Sequence, residues 1–268
     1  MNGSASRWLW MGALLTSLAA RGEGTTHLSS AVDVARSMLE ARQSAGFEIR
    51  VRLSDVQPDD SRSSTGQLSV VGEFDREGGR LVTRRISGVG VAASPMSAEV
   101  DARGGVRVVR SDAEHKGGVS EADPFAAEPY PGLFIWDMLA PWWMWPQQTV
   151  QGIEVVAGTS CVRIMSRTTA PDSPIRSVAS CVDVQQRLAL QTLLLDARDK
   201  VVRRIDVERT AQRSSGAAGA SRMRITGMNG KAITAEVYSG DEHHENTAGT
   251  FSALREGAAV ATRRGTAP

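Results

Sequence analysis

The chain has 268 residues, 41% of them hydrophobic and 5% aromatic, and 31 basic against 30 acidic side chains leave a formal net charge of +1. That length suffices for one large domain or two small ones around a sizeable core. Mixed charge near neutrality argues against a nucleic-acid or anionic-membrane binder, and no run reaches the roughly 18 apolar residues a spanning helix needs. Nearly all the basic residues are arginine, which reads as codon usage and not as chemistry. The aromatics are few but uneven, with seven of thirteen between Phe125 and Trp145.

In chain order, residues 1–24 have the layout of a cleaved secretory signal. Arg7 supplies a weak positive start, Trp8–Leu18 an apolar run too short to span, and Ser17 and Ala19 the small residues a signal peptidase reads. The other reading is a short buried helix. No Cys follows the run, so no lipid anchor and no transmembrane anchor are expected, and the expected location is the periplasm. Ser29–Ala45 is predicted as one amphipathic helix, capped by Ser29 or Ser30 and ended by Gly46. Phe47–Leu53 alternates as a strand with Phe47, Ile49, Val51 and Leu53 on one face. Leu68–Asp75 and Arg80–Ser87 flank a hairpin turn at Arg76–Gly79, and Ser97–Ala102 and Val106–Arg110 flank Arg103–Gly105. Ser111–Asp123 is polar and reads as a loop.

Further strands are predicted at Ile153–Arg167, Ile175–Val184, Leu188–Asp196, Val201–Thr210, Arg222–Met228 and Ala232–Ser239. The fourth of these turns Val201, Ile205 and Val207 inward, with Arg203 as an exception. Asp199-Lys200 and Asn229-Gly230 are turn dipeptides. Gln212–Ser221 reads as a flexible loop, and 241–268 as a loose tail. No interior linker suggests two domains. Ten or eleven antiparallel strands in meander order, with one apolar face, must curl to hide it. The fold class is therefore mainly β (α+β): a curved antiparallel sheet with helices in its concavity.

Cys161 and Cys181 flank the turn Ala170–Ser173. If Gly158–Arg167 and Ile175–Val184 pair, the residue facing Cys161 is about 181 or 182, and a disulfide worth roughly 3 kcal/mol can form. A pair of free buried thiols and a metal site are the alternatives, the latter without a nearby His.

The densest signal is Pro129–Pro146. Gly132 to Ala140 can make two helical turns closed by Pro141. Phe134, Trp136, Trp142, Trp143 and Trp145, with Met138 and Met144, are more than two turns can bury on one face. Two readings stay open: a plug whose rings are all core, or a lid whose rings line a cavity for an acyl chain or hydrophobic peptide.

Asp137-Met138-Leu139, the Trp run ending in Trp145-Pro146, Gly152, and Gly158 followed by Cys161-Val162-Arg163-Ile164 resemble the outer-membrane lipoprotein-sorting (LolA-like) superfamily. Cys181-Val182-Asp183 and Leu193–Arg204 continue the pattern. Cys181 departs from it, since the family usually carries a large apolar or aromatic residue there. The resemblance covers about residues 30–240 by order of elements, and places one such domain at 25–240. It implies an unclosed β-barrel with helices across its opening and an apolar interior. It further implies a periplasmic carrier or chaperone for lipoprotein acyl chains or lipid in outer-membrane sorting. The expected ligand-binding residues are Phe134, Trp136, Met138, Leu139, Trp142, Trp143, Trp145, Ile49, Val51, Val162 and Ile164. An inner-membrane export complex or an outer-membrane acceptor would be the protein partner, and a monomer is expected. The alternative is an envelope sensor or export accessory that binds a protein partner through the same fold. The family's lid-locking arginine has no assignable position in the sequence.

No enzyme is expected: the chain has no nucleophile elbow, no Cys/His constellation and no zinc-protease motif. Asp241–Glu245 could offer imidazoles and carboxylates to a metal, but reads as an exposed tail. Gly88-Val89-Gly90-Val91 lacks the helix a dinucleotide site requires. Neither cofactor nor metal is expected.

Overall fold

In the computed structural model, residues 30–42, 44–88, 94–112, 118–212 and 218–241 are described. The signal at 1–24, the tail beyond Asp241, Val89–Val91 and all four histidines lie outside the described residues. One helix, α1 (Ala31–Arg42), opens the fold. Ser30 caps it, its Oγ accepting the Asp33 N–H at 3.2 Å, and Ala31, Val34, Ala35 and Met38 form its buried stripe. It stops earlier than predicted. Ser44–Gly46 instead join β1 (Ser44–Val56), where Ser44 pairs with Phe74, so Gly46 lies within a strand and ends no helix.

Twelve more strands follow: β2 (Arg62–Phe74), β3 (Gly78–Gly88), β4 (Met96–Asp101), β5 (Val106–Asp112), β6 (Gly118–Ala122), β7 (Gln147–Val156), β8 (Thr159–Arg167), β9 (Ser177–Asp183), β10 (Leu188–Leu195), β11 (Val201–Gln212), β12 (Ala218–Gly227) and β13 (Ala232–Asp241). All thirteen form one antiparallel sheet in the order β6-β5-β4-β3-β2-β1-β13-β12-β11-β10-β9-β8-β7. The chain enters at the middle, and pairing of β1 with β13 joins two meanders. β6 and β7 are the two edges, so the sheet does not close.

Three departures from the predicted elements have simple causes. β6 lies in the predicted polar loop; it is an edge strand held by backbone pairing to β5, and only its end, Ala122, packs against the core. Ile153–Arg167 is not one strand but the end of β7, a turn and β8. Ala157 and Gly158 adopt φ of 50° and 82°, the two successive positive values of a tight hairpin turn. Ala218–Ser221, expected to be loop, pairs with the end of β11 although its small residues give no alternation.

Inward side chains of both meanders make the core. Leu53, Leu68, Leu81, Val108, Ile164, Val178, Val182 and Leu194 are almost completely buried. The disulfide Cys161–Cys181 is present, with Cα atoms 5.4 Å apart and both residues buried. Its register differs from the expectation: Arg163, not Cys161, stands opposite Cys181, so the bridge runs diagonally across β8 and β9. The loop between these strands is longer on one side than a symmetric turn at Ala170–Ser173 allows.

Candidate functional site

Strands β6 and β7 are consecutive in the chain but stand at opposite edges, so residues 123–146 must cross the open side of the sheet. A segment lying on an apolar face can bury rings on several sides. It turns at Tyr130–Leu133, with Gly132 at φ 83°, forms the short helix α2 (Ile135–Leu139), reverses at Ala140 in the left-handed region, and ends in a 3-10 turn, Pro141–Met144. The rings pack on one another. Trp136 has centroids 5.3 Å from Phe125, 5.3 Å from Trp142 and 5.8 Å from Trp145.

The two ends of this segment are held differently. At the Trp142–Trp145 end, Gln148 Nε2 donates to the carbonyls of Trp142 (2.8 Å) and Trp145 (2.9 Å), while its Oε1 accepts from Ser166 Oγ (2.7 Å). Gly104, in the β4–β5 turn, lets Trp145 close against its backbone; a Cβ there would meet Trp145 Cδ1 at 2.7 Å. Arg42 of α1 adds a bond to the Ala140 carbonyl at 3.2 Å.

At the other end an ion pair carries the hold. Arg203 of β11 faces the concavity, where its Nε donates to Asp137 Oδ1 (2.7 Å) and its Nη2 to Asp137 Oδ2 (2.5 Å) and the Gly132 carbonyl (2.6 Å). Its guanidinium also lies 4.3 Å from the Phe134 ring centroid, and Asp137 Oδ2 accepts the Phe134 N–H at 3.0 Å. The two side chains are 9% and 3% exposed, so this pair is desolvated and all its partners are protein groups. Burial pushes the Asp137 carboxyl above its ordinary range, against the opposing pull of the Arg203 charge and hydrogen bonds.

Beside that pair lies a groove of about 1100 Å³, between the segment and the ends of β10 to β13. Phe125, Phe134, Trp136, Leu194, Ile225 and Ile233 provide apolar lining, Met228 stands 67% exposed on the lip, and Glu128, Arg224 and Lys231 are polar lining. A second hollow, of about 970 Å³ at the opposite end, is lined by charged groups such as Glu73, Asp75, Arg80, Glu99 and Asp101 and offers little to an apolar ligand.

The sequence-nominated residues divide accordingly. Phe134 and Trp136 line the groove. Leu139, Trp142, Trp143, Trp145, Val51 and Ile164 are buried in the packed core, and Met138, Ile49 and Val162 are partly buried against it. Not nominated were Asp137, Arg203, Phe125, Ile225 and Ile233. Arg203 had announced itself as a charge in an inward stripe, and Asp137 as the one acid in the aromatic run. Among the described residues no group of three or more His, Cys, Asp or Glu is placed to hold a metal ion, and no helix is long and apolar enough to cross a membrane.

No family model matches the chain, and no curated protein matches it. Solved structures do. A DUF1329 family protein from Desulfovibrio piger superposes with a TM-score of 0.68 at 14% identity, covering 80% of this chain and 92% of that one. A domain described as an outer membrane lipoprotein-sorting protein, from Vibrio parahaemolyticus, gives 0.68 at 12% identity, covering 80% and 93%. A LolA superfamily protein from Nitrosomonas europaea gives 0.60 at 8% identity, again over 80% and 93%. At such identities the likeness is one of fold. The chain has the LolA-like fold, one unclosed antiparallel sheet with few helices.

Proposed function

We propose that this LolA-like chain is an exported, periplasmic binding protein for a hydrophobic ligand, lipoprotein acyl chains or lipid, and works as a carrier or chaperone in outer-membrane sorting. The observation that carries the reading is the apolar groove beside Phe134 and Trp136, bordered by a segment whose near end is held through one ion pair. Burying fourteen methylenes at about 0.8 kcal/mol each yields about 11 kcal/mol before the costs of association. Release would then have to be coupled to widening of the groove, which the Gly132–Asp137 stretch borders. The rings at Trp142–Trp145 serve in this reading as fixed core.

The test uses fluorescence. Titration with a brominated acyl lipid is expected to quench the wild type, to quench Trp143→Phe about as well, and to lose most of the effect in Trp136→Phe, because Trp136 alone of the tryptophans lines the groove among the described residues. Native mass spectrometry of protein purified from a periplasmic extract is expected to show co-purifying lipid. A clean apo mass together with no quenching would defeat the proposal. The polar lining residues Glu128, Arg224 and Lys231 favour, as a second reading, a protein partner in the same groove, as in an envelope sensor or export accessory. That reading expects an acylated peptide to bind no better than its unacylated form.

A further inference from the structure

We propose that the outer face of the sheet docks on anionic phospholipid headgroups through an array of arginines. On β1 the side chains alternate: Val51 and Leu53 enter the core, while Arg50 and Arg52 stand exposed. Register carries this outward row across the neighbouring strands. Arg52 lies opposite Glu236 of β13, Glu236 opposite Arg222 of β12, and Arg222 opposite Arg209 of β11. Glu236 therefore faces three guanidiniums, Arg222 Nη2 at 2.6 Å, Arg209 Nη1 at 3.4 Å and Arg52 Nη1 at 3.9 Å. A second row runs the other way, with Arg50 opposite Ser69 of β2 and Ser69 opposite Arg84 of β3. Arg50 and Arg84 are exposed and have no ion-pair partner among the described residues.

Two further acidic residues border these rows, Glu48, which accepts from Ser69 Oγ at 3.4 Å, and Asp241, opposite Glu48 in the β1–β13 register, while Glu73 and Asp206 on the same face pair with Arg80 and Arg204. Five arginines thus stand against three acidic residues, a local surplus of two positive charges in a chain whose total is +1. Like charges opposite one another, as Arg209 and Arg222 are, repel until an anion neutralises them. A guanidinium meets a phosphate through two parallel N–H bonds, and Arg50 and Arg84 are the two members whose donors no carboxylate takes among the described residues.

The occupant follows from what lies between the arginines. The intervening positions are Gln67, Ser69 and Ser239, and the ring present is Tyr238, 38% exposed, 5.0 Å under Arg52 and donating its hydroxyl to Gln67 at 2.8 Å. A stable protein partner is anchored by several apolar side chains entering a pocket, and beside these rows the one exposed large aliphatic side chain among the described residues is Ile86. A headgroup layer requires charge alone, and tyrosine suits its interface. Each unneutralised basic residue near an anionic surface is worth roughly fivefold in binding, so two give on the order of 25-fold preference for an anionic over a neutral membrane.

The experiment is co-sedimentation of the purified full chain with vesicles of phosphatidylcholine alone and of phosphatidylcholine mixed with phosphatidylglycerol, at low and high salt. Preference for the mixed vesicles, lost at high salt, is expected. The double variant Arg50→Gln/Arg84→Gln breaks no described ion pair; it should melt like the wild type and bind the mixed vesicles about 25-fold more weakly. Binding to neutral vesicles reads the groove and is subtracted. Equal binding to both vesicle types overturns the proposal, as does an unchanged double variant. Retention on an acidic polypeptide without any vesicle preference also overturns it, and assigns the face to a protein.

Discussion

Removal of the Asp137 carboxylate is the most informative single perturbation. Asp137→Ala leaves the Arg203 guanidinium 9% exposed, with the Gly132 carbonyl and the Phe134 ring as remaining neighbours in place of two bonds to a carboxylate. Stranding one member of a buried pair costs about 3–5 kcal/mol, a large part of the roughly 5–15 kcal/mol that holds a domain folded. Asp137→Asn keeps shape and an acceptor but removes the counter-charge of Arg203, so it is expected to cost less than Asp137→Ala yet more than about 1 kcal/mol. The double variant Asp137→Leu/Arg203→Met removes both charges and fills the space with apolar atoms. It should lie within about 2 kcal/mol of the wild type, giving a coupling energy of at least about 2 kcal/mol. Urea unfolding followed by tryptophan emission reads these proteins and the two singles of the cycle, Asp137→Leu and Arg203→Met, since Trp136 adjoins the pair on α2 and reports its loosening. A cost for Asp137→Ala below about 1 kcal/mol, or a double variant as unstable as the sum of its singles, would refute the claim that this contact anchors the segment.

Reduction of the Cys161–Cys181 bridge is expected to cost about 3 kcal/mol, and Cys161→Ser/Cys181→Ser should melt like the reduced wild type; melting that ignores the reductant, or two thiols titrating in the denatured, unreduced protein, would contradict it. Gly104→Ala combines a residue at φ +79° with a Cβ pressed against Trp145, for a loss of roughly 2–4 kcal/mol and a red shift in tryptophan emission. Hydrogen bonds from Arg163 hold the Glu154 carboxyl below its ordinary value of 4.5. A lowered folded value means a stabilising contribution present above that ordinary range and lost as pH falls through the lowered one. The melting temperature of wild type should therefore exceed that of Glu154→Gln at about pH 6 and converge with it towards about pH 3; a gap that stays constant would speak against the assignment.

Much of the architecture is written in period-two alternation, and where alternation fails the sequence falls silent. Most of the strands β1 to β5 and β8 to β13 show apolar residues on one face, because that side meets the core, whereas β9 is buried along its whole length and β12 opens on small residues. β6 lacks the pattern because an edge strand is held by backbone bonds that every residue supplies. The β7–β8 turn was hidden because Ala157 is not a turn-forming residue by type; its φ of 50° is tolerated only beside Gly158. The pairing of β1 with β13 spans most of the chain and leaves no local trace. The arginine array has the same origin. Its members come from β1, β3, β11 and β12, and a near-zero total charge conceals a local surplus that register alone assembles. The aromatic segment was legible as a unit, yet which of its rings face a groove depended on how each end is fastened.

That fastening follows from topology. A sheet whose consecutive edge strands lie on opposite sides obliges the linking chain to cross an apolar concavity, so the segment must be apolar around most of its circumference, and large rings achieve this in few residues. A segment of irregular backbone there also brings polar groups that need partners away from water. At one end Gln148 takes two carbonyls, Arg42 takes that of Ala140, and Gly104 admits Trp145 to close contact. At the other end Gly132 and Asp137 turn to the guanidinium of Arg203. The groove lies beside this pair, between the segment and the ends of β10 to β13. The ion pair thus answers the requirement that a crossing chain be satisfied at a site where the sheet has no further strand to offer, and the groove opens next to it.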